Sequence, residues 1–277
     1  MQTPSSVDPE GRPFRIGSVP YLNAAPLTHG LGDVLLLPPS RLAPELHAGR
    51  LDAALLSITE AMATPGREVL DGLGILCRGP VFSVGVTHRV PLAEASAIHI
   101  DPASCTSVNL LRVLLHAAGL KPRLLPLGSV ADATQHEATL LIGNPAIEFR
   151  RAHPGRPWWD LGEAWWRQEG LPFVFAAWVL RHGTPPDLHR LLAGAGSAGI
   201  RQIDAIARAG TDFDEPFRRA YLGGHVQYDI DEPARRGVER FSTLLREAVG
   251  GTWCAPRWVA DAIPGGIPSS GAQKCLG

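Results

Sequence analysis

The 277-residue sequence predicts an α/β protein of two lobes, on three observations. Short apolar runs of strand type alternate with helix-type segments through the first two thirds, the pattern of a mostly parallel sheet flanked by helices. Polar residues collect at the ends of the expected strands, where ligands of open α/β sheets bind. Two long apolar runs, GPVFSVGVTH at 79–88 and LPFVFAAWVL at 171–180, enclose a segment of about 90 residues with its own β-α-β order. The runs read as bridges. Residues 14–88 with 181–262 are then one discontinuous lobe, 89–180 the other, and the cleft between them is the ligand site. Residues 1–13 and 263–277 are expected to be poorly ordered tails.

Each element follows in order. FRIGSV reads as a strand with Tyr21 and Asn23 at its tip, and PLTHGL as a short helix. DVLLLPP is a strand; SRLAPELHAG is a helix with Ser40 as N-cap and Gly49 as terminator. LDAALLS is apolar almost throughout, as a strand covered on both faces must be, and a helical turn from Ile58 to Ala63 follows. GPVFSVGVTH and AIHID read as strands, the second ending in the loop PASCTS. VNLLRVLLHAAG is an amphipathic helix closed by Gly119. PRLLPL and ATLLIG are strands, NPAIEFRRA a short helix, and WWDLGEAWWRQEG a loop entering a tryptophan-rich helix. After the strand LPFVFAAWVL, only helices are expected from about Pro186 onward.

Net charge is -1, with both signs interspersed, which leaves no footprint for nucleic acid or an anionic membrane. No window approaches the ~18 uninterrupted apolar residues of a membrane span. The start, MQTPSSVDPEGRPF, lacks the basic-then-apolar order of a signal peptide, so the expected compartment is the cytoplasm. Cys77, Cys105, Cys254 and Cys275 form no C-x-x-C pair and the ten histidines no H-x-x-x-H. Isolated thiols, no metal and no cofactor are expected. Absence of G-x-S-x-G, Walker A and G-x-G-x-x-G argues against a triad hydrolase or a nucleotide enzyme.

The residues that could carry chemistry sit at strand ends: Tyr21 and Asn23, then Ser57, Thr59 and Glu60, then Ser83, then Asn144 after Gly143. ASCTS supplies Ser104, Cys105, Thr106 and Ser107 just before an apolar helix, whose free N–H groups and positive dipole end suit a carboxylate. A plain N-cap needs only one such hydroxyl and is the commoner use; three within four residues shift the balance modestly toward an anion site. Asp52 with Glu60 could pair as catalytic carboxylates, but Asp more often starts a strand, and Glu60 fits a partner for a helix N-terminus. His88 could serve as a general base, but it fits a solvated turn histidine better. Trp158, Trp159, Trp165 and Trp166 fit packing better than ligand stacking. Composition and spacing reach a two-lobed α/β protein that binds a small polar anion.

Together, RIGSVPYLNAAPL, GRLDAALLSITE, FSVGV, DPASCTSVNLLRVLL, LLIGNPAI and WWDLGEAWWRQEGLPFVFAAWVL resemble the chorismate dehydratase family of the futalosine route to menaquinone. The resemblance runs from about Arg15 to Leu180 and persists more weakly in VQYDIDEPARRGVERF. It implies the type II periplasmic-binding-protein fold, with two hinge strands and a helical C-terminal segment. It implies a lyase that converts chorismate, a dicarboxylate, to 3-[(1-carboxyvinyl)oxy]benzoate, the substrate's own enolpyruvyl carboxylate taking the proton. Asn23 would be catalytic; Tyr21, Ser57, Ser83, Ser104, Cys105, Thr106, Ser107 and Asn144 would bind substrate. No cofactor or metal is implied, and the state expected is monomer or homodimer. The same fold also serves as a non-catalytic solute receptor. It serves the sister dihydroxynaphthoate synthases too, whose SPCPNDT-like opening is replaced here by SVPYLNAAPL. The chain departs from the family pattern at Asn144, where Asp is usual, and at Glu169, where Thr is usual.

Overall fold

A computed structural model describes residues 7–8, 10–101 and 104–260. Of the expected tails 1–13 and 263–277, residues 1–6, 9 and 263–277, with Cys275, lie outside the described residues, while Val7 and Pro13 form an isolated antiparallel bridge.

The strands form two sheets. In the larger, β1 (Ile16–Ser18) lies between β2 (Val34–Leu36) and β3 (Ala53–Ser57), all parallel. β10 (Phe173–Leu180) runs antiparallel between β3 and β4 (Glu68–Cys77). β11 (Gln227–Ile230) and β12 (Arg257–Val259) also pair with β4. The smaller sheet has the order β7 (Arg123–Pro126), β6 (Ala97–Ile100), β8 (Ala138–Ile142), β5 (Val84–His88), β9 (Trp158–Asp160).

The chain passes between the sheets twice, at 78–83 and at 170–172. β5 is hydrogen-bonded to β8 and β9, and β10 to β3 and β4. The first passage is pinned. The buried Asp160 carboxylate accepts from the backbone N–H groups of Val81 (3.1 Å) and Phe82 (2.8 Å), and from Glu163 (3.1 Å) as the cap of α6 (Leu161–Glu169). Burial still pushes its carboxyl above the ordinary value. Phe82 takes a φ of 69°, a conformation that costs a non-glycine residue about 1–3 kcal/mol unless its surroundings fix it. The Arg150 guanidinium does so from the other side, 3.0 Å from the Phe82 carbonyl and 3.8 Å over its ring.

Several elements differ from the sequence expectation. β4 was not expected: Asp71, Gly72 and Gly74 interrupt its apolar pattern and imitate a turn, yet it is paired on both sides. The C-terminal third is mainly helical but adds β11 and β12, strands of four and three residues, too short to register a period. α2 (Pro39–His47) starts on Pro39 without a side-chain cap, so Ser40 is not its N-cap. α4 (Cys105–Ala117) begins earlier than expected, which takes Cys105, Thr106 and Ser107 out of the loop and into its first turn. Trp158 and Trp159 lie in β9, not in a loop. Trp165 is fully buried and meets Phe173 and Phe241 edge-on, with centroids 5.2 and 5.8 Å away, so this tryptophan is core packing.

Candidate active site between the two sheets

A cavity opens where the two sheets face each other. Its apolar wall includes Leu55, Leu56, Ile75 and Phe175 from the larger sheet. Its polar wall contains Tyr21, Asn23, Ser57, Ser83, Ser104, Cys105, Thr106 and Ser107, eight of the nine residues expected from the sequence. Among the described residues, no Arg, Lys, His, Asp or Glu lines it. An anion here must be held by dipoles and neutral donors.

The start of α4 supplies such donors. Its first N–H groups have no intrahelical partner by position, and the helix runs for thirteen residues behind them. Ser104 precedes it, 3% exposed, and its hydroxyl caps nothing and has no partner among the described residues. The plain N-cap account therefore fails for Ser104. Thr106 Oγ1 accepts from Thr59 Oγ1 (3.1 Å) and Thr59 N (3.4 Å), which ties α4 to α3 (Ile58–Ala63) across the cleft and leaves the Thr106 proton to donate. Ser57 likewise accepts from Glu60 N–H (3.3 Å) as the cap of α3 and keeps its proton. Burial and then the Glu60 carboxylate push the Cys105 thiol up, so it stays protonated and is a poor nucleophile.

The tip of β1 continues into a single 3-10 turn, Leu22–Ala24, and then α1 (Ala25–Thr28). Asn23 caps neither helix: the caps are Tyr21 and Ala24, and neither carries a side-chain cap bond. Its Oδ1 is buried and has no partner among the described residues. Tyr21 lies flat against Gly143, whose φ is 61° and whose added Cβ would stand 3.2 Å from the ring. Only glycine suits that backbone without strain. Burial and then Asp101 push the Tyr21 phenol up, so it remains a neutral donor. Ser83 is fully buried beside the cavity, and Tyr221 Oη donates to it at 2.7 Å.

Asn144 stands apart from the others. It does not line the cavity, although Ile142 and Gly143 before it do. Its Oδ1 accepts from Leu22 N–H (3.0 Å) and its Nδ2 donates to Asp212 (3.2 Å), so it clasps the two halves next to Asn23. Arg151 pairs with Asp214 beside it. This explains the amide: a carboxylate at 144 would face the Asp212 carboxylate. Asn144→Asp is therefore expected to weaken binding of substrate or product by about tenfold, the scale of a like-charge contact at a partly wet interface, with a smaller change in kcat. Calorimetric titration with product checks it; unchanged affinity would remove the clasp from the account.

The other sequence candidates are structural. Burial raises the Asp52 carboxyl, but hydrogen bonds from Arg15 and Arg181 outweigh it and hold the group below its ordinary value. Asp52 thus joins β1, β3 and β10 and does not pair with Glu60. His88 Nδ1 meets the Val90 carbonyl at 2.8 Å. No group of three or more His, Cys, Asp or Glu able to hold a metal occurs among the described residues. Sequence reading missed Tyr221 and Asp160, which touch site residues from distant segments and leave no local motif.

Known proteins resemble this chain over most of its length. The family described as menaquinone biosynthesis matches residues 14–247. A chorismate dehydratase of Thermus thermophilus is 29% identical over 259 residues, spanning 84% of this chain and 96% of that protein. The crystal structure of a protein from Archaeoglobus fulgidus superposes with a TM-score of 0.65 at 16% identity, covering 85% of this chain and 97% of the other. The alkanesulfonate-binding protein SsuA from Xanthomonas axonopodis pv. citri, bound to MOPS, superposes at 0.59 with 12% identity, covering 83% and 90%. At those identities the two structures establish the fold, that of two-lobed solute-binding proteins.

Proposed function

This chain belongs to the menaquinone biosynthesis family, and we propose that it is a lyase that removes water from chorismate to give 3-[(1-carboxyvinyl)oxy]benzoate. The observation that carries the reading is a cavity with an amide, several hydroxyls and a helix start on its wall, and no ionised side chain among the described residues. That composition suits a substrate that brings two carboxylates and needs positioning more than acid–base chemistry. The ring C–H beside the ether breaks and its electron pair becomes a ring double bond. The neighbouring C–O bond breaks toward oxygen, and the displaced proton ends on that oxygen as water. Aromaticity supplies much of the driving force, and the substrate's enolpyruvyl carboxylate can carry the proton. The ring carboxylate sits at the start of α4, held by Ser104, Ser107 and the free N–H groups.

The same proposal places the enzyme in the futalosine route and in the cytoplasm, as a monomer or homodimer without cofactor. No helix among the described residues is long and apolar enough to cross a membrane. The test is turnover. Purified protein at catalytic amounts should convert chorismate to the aromatic ether, followed by proton NMR. Tight binding without conversion would leave a solute receptor instead.

The binding-protein fold also implies motion. The two sheets with their helices are the moving parts, and 78–83 and 170–172 the hinges. Small-angle scattering should show a more compact particle at saturating product than without it. Superimposable profiles would mean that the cleft does not close.

A further inference from the structure

One hydrogen-bonded pair in the cleft joins a residue that lines the cavity to one that does not. Thr106, in the first turn of α4, lines the cavity from the smaller-sheet side; Thr59, in α3 on the larger-sheet side, is not part of the wall. Both are 4% exposed. Thr59 gives Thr106 Oγ1 two hydrogen bonds, from its hydroxyl at 3.1 Å and from its backbone N–H at 3.4 Å. That N–H belongs to the second residue of α3 and has no acceptor within its own helix. A threonine hydroxyl has two lone pairs and one proton. With both lone pairs taken by Thr59, Thr106 can only donate. The buried Ser104 hydroxyl lies on the same wall with no partner among the described residues, so the start of α4 presents two hydroxyl donors together.

We propose that Thr59 is a positioning residue: through these two bonds it sets the Thr106 hydroxyl as an obligate donor to the ring carboxylate at the start of α4. The inference rests on the lyase reading for the identity of the ligand, and it adds a residue outside the cavity to the groups that hold it. An anion in a wall without cations among the described residues depends on donors that already point at it, because turning a free hydroxyl into place costs part of the affinity. A hydroxyl that accepts two hydrogen bonds is also the better donor, since successive bonds polarise one another. The donors come from one lobe and the acceptor from the other, so the grip on the carboxylate is complete only when the lobes stand together. The plain alternative is that the pair merely packs α3 against α4. That alternative predicts an effect on stability that does not depend on which carboxylate a ligand carries.

Thr59→Val removes the hydroxyl bond and leaves the 3.4 Å bond from the backbone. Calorimetric titration uses the product, then 3-(ethenyloxy)benzoate, which keeps only the ring carboxylate, and 2-phenoxyprop-2-enoate, which keeps only the other. Thr59→Val should weaken the first two roughly tenfold, the scale of a charge-assisted hydrogen bond partly lost, and the third by less than about twofold. Thr59→Ser should restore most of the affinity. In a Thr106→Val background the Thr59 change should cost nothing further, since Thr59 acts through Thr106. With chorismate, KM should rise roughly tenfold and kcat stay within about threefold, because the ring carboxylate is held throughout the reaction. Equal losses for all three ligands, a loss confined to 2-phenoxyprop-2-enoate, or a lower Tm with wild-type affinities would overturn the assignment. Wild-type protein that shows the ligand pattern without turning over chorismate would bring down the lyase reading and leave Thr59 in its role; failure to bind any of the three ligands would bring down both.

Discussion

Asn23→Asp and Asn23→Ser are each expected to slow chorismate dehydration by at least about a hundredfold in a protein that stays folded. The amide occupies the 3-10 turn after β1, where it caps no helix, so removing it costs no cap bond. It lies on the cavity wall, and its buried Oδ1 has no partner among the described residues. Asp keeps an acceptor but loses the amide donor, and it brings a charge into a wall with no cation among the described residues to balance it. Ser keeps a hydroxyl but is too short to place it where the amide stands. The loss should appear in kcat more than in KM, with an unchanged circular dichroism spectrum. Near-normal turnover in both variants would show that Asn23 serves the fold alone.

The largest effect on stability is expected from Gly199→Ala. Gly199 lies in α7 (Pro186–Arg201), where that helix crosses α1. A Cβ there would stand 1.9 Å from the Pro26 carbonyl oxygen, 2.8 Å from its carbon and 3.0 Å from His29 Cβ. The obstacle is backbone, which cannot rotate away as a side-chain end can. The helices must separate, at a cost of about 3 kcal/mol, the upper part of the overpacking range, or roughly 6–12 °C in Tm for a chain of this size. α1 follows directly from the turn that carries Asn23, so the displacement should also lower kcat. Gly155→Ala is the control, with nothing within 4 Å of the added atom. Equal Tm values for the two variants would refute the close helix crossing.

The sequence made strand tips legible because a strand buried on both faces is apolar until it ends; the first polar residues after IGS and AALLS had to face something other than core. That logic placed Tyr21, Asn23 and Ser57 on the cavity wall, and the hydroxyl cluster before an apolar helix did the same for Ser104 to Ser107. It could not find β4, because Gly72 and Gly74 read as punctuation within a strand that is paired on both sides. Nor could it find Tyr221, which reaches Ser83 from 138 residues away and obeys only tertiary packing. Asn144 shows the same limit in reverse. Its position at a strand end suggested a ligand contact, and its partners, Leu22 and Asp212, lie 122 and 68 residues distant.

The central claim, that chorismate loses water in the cavity between the two sheets, is tested most directly by a crystal structure of the protein with bound 3-[(1-carboxyvinyl)oxy]benzoate. The account predicts the ring carboxylate within hydrogen-bond distance of Ser104 and the first N–H groups of α4. It also predicts the ring against Tyr21, with Asn23 Oδ1 and Ser83 Oγ facing the ring carbon that has lost its hydroxyl. Product bound outside this cavity, or bound with that carbon turned away from Asn23 and Ser83, would contradict it.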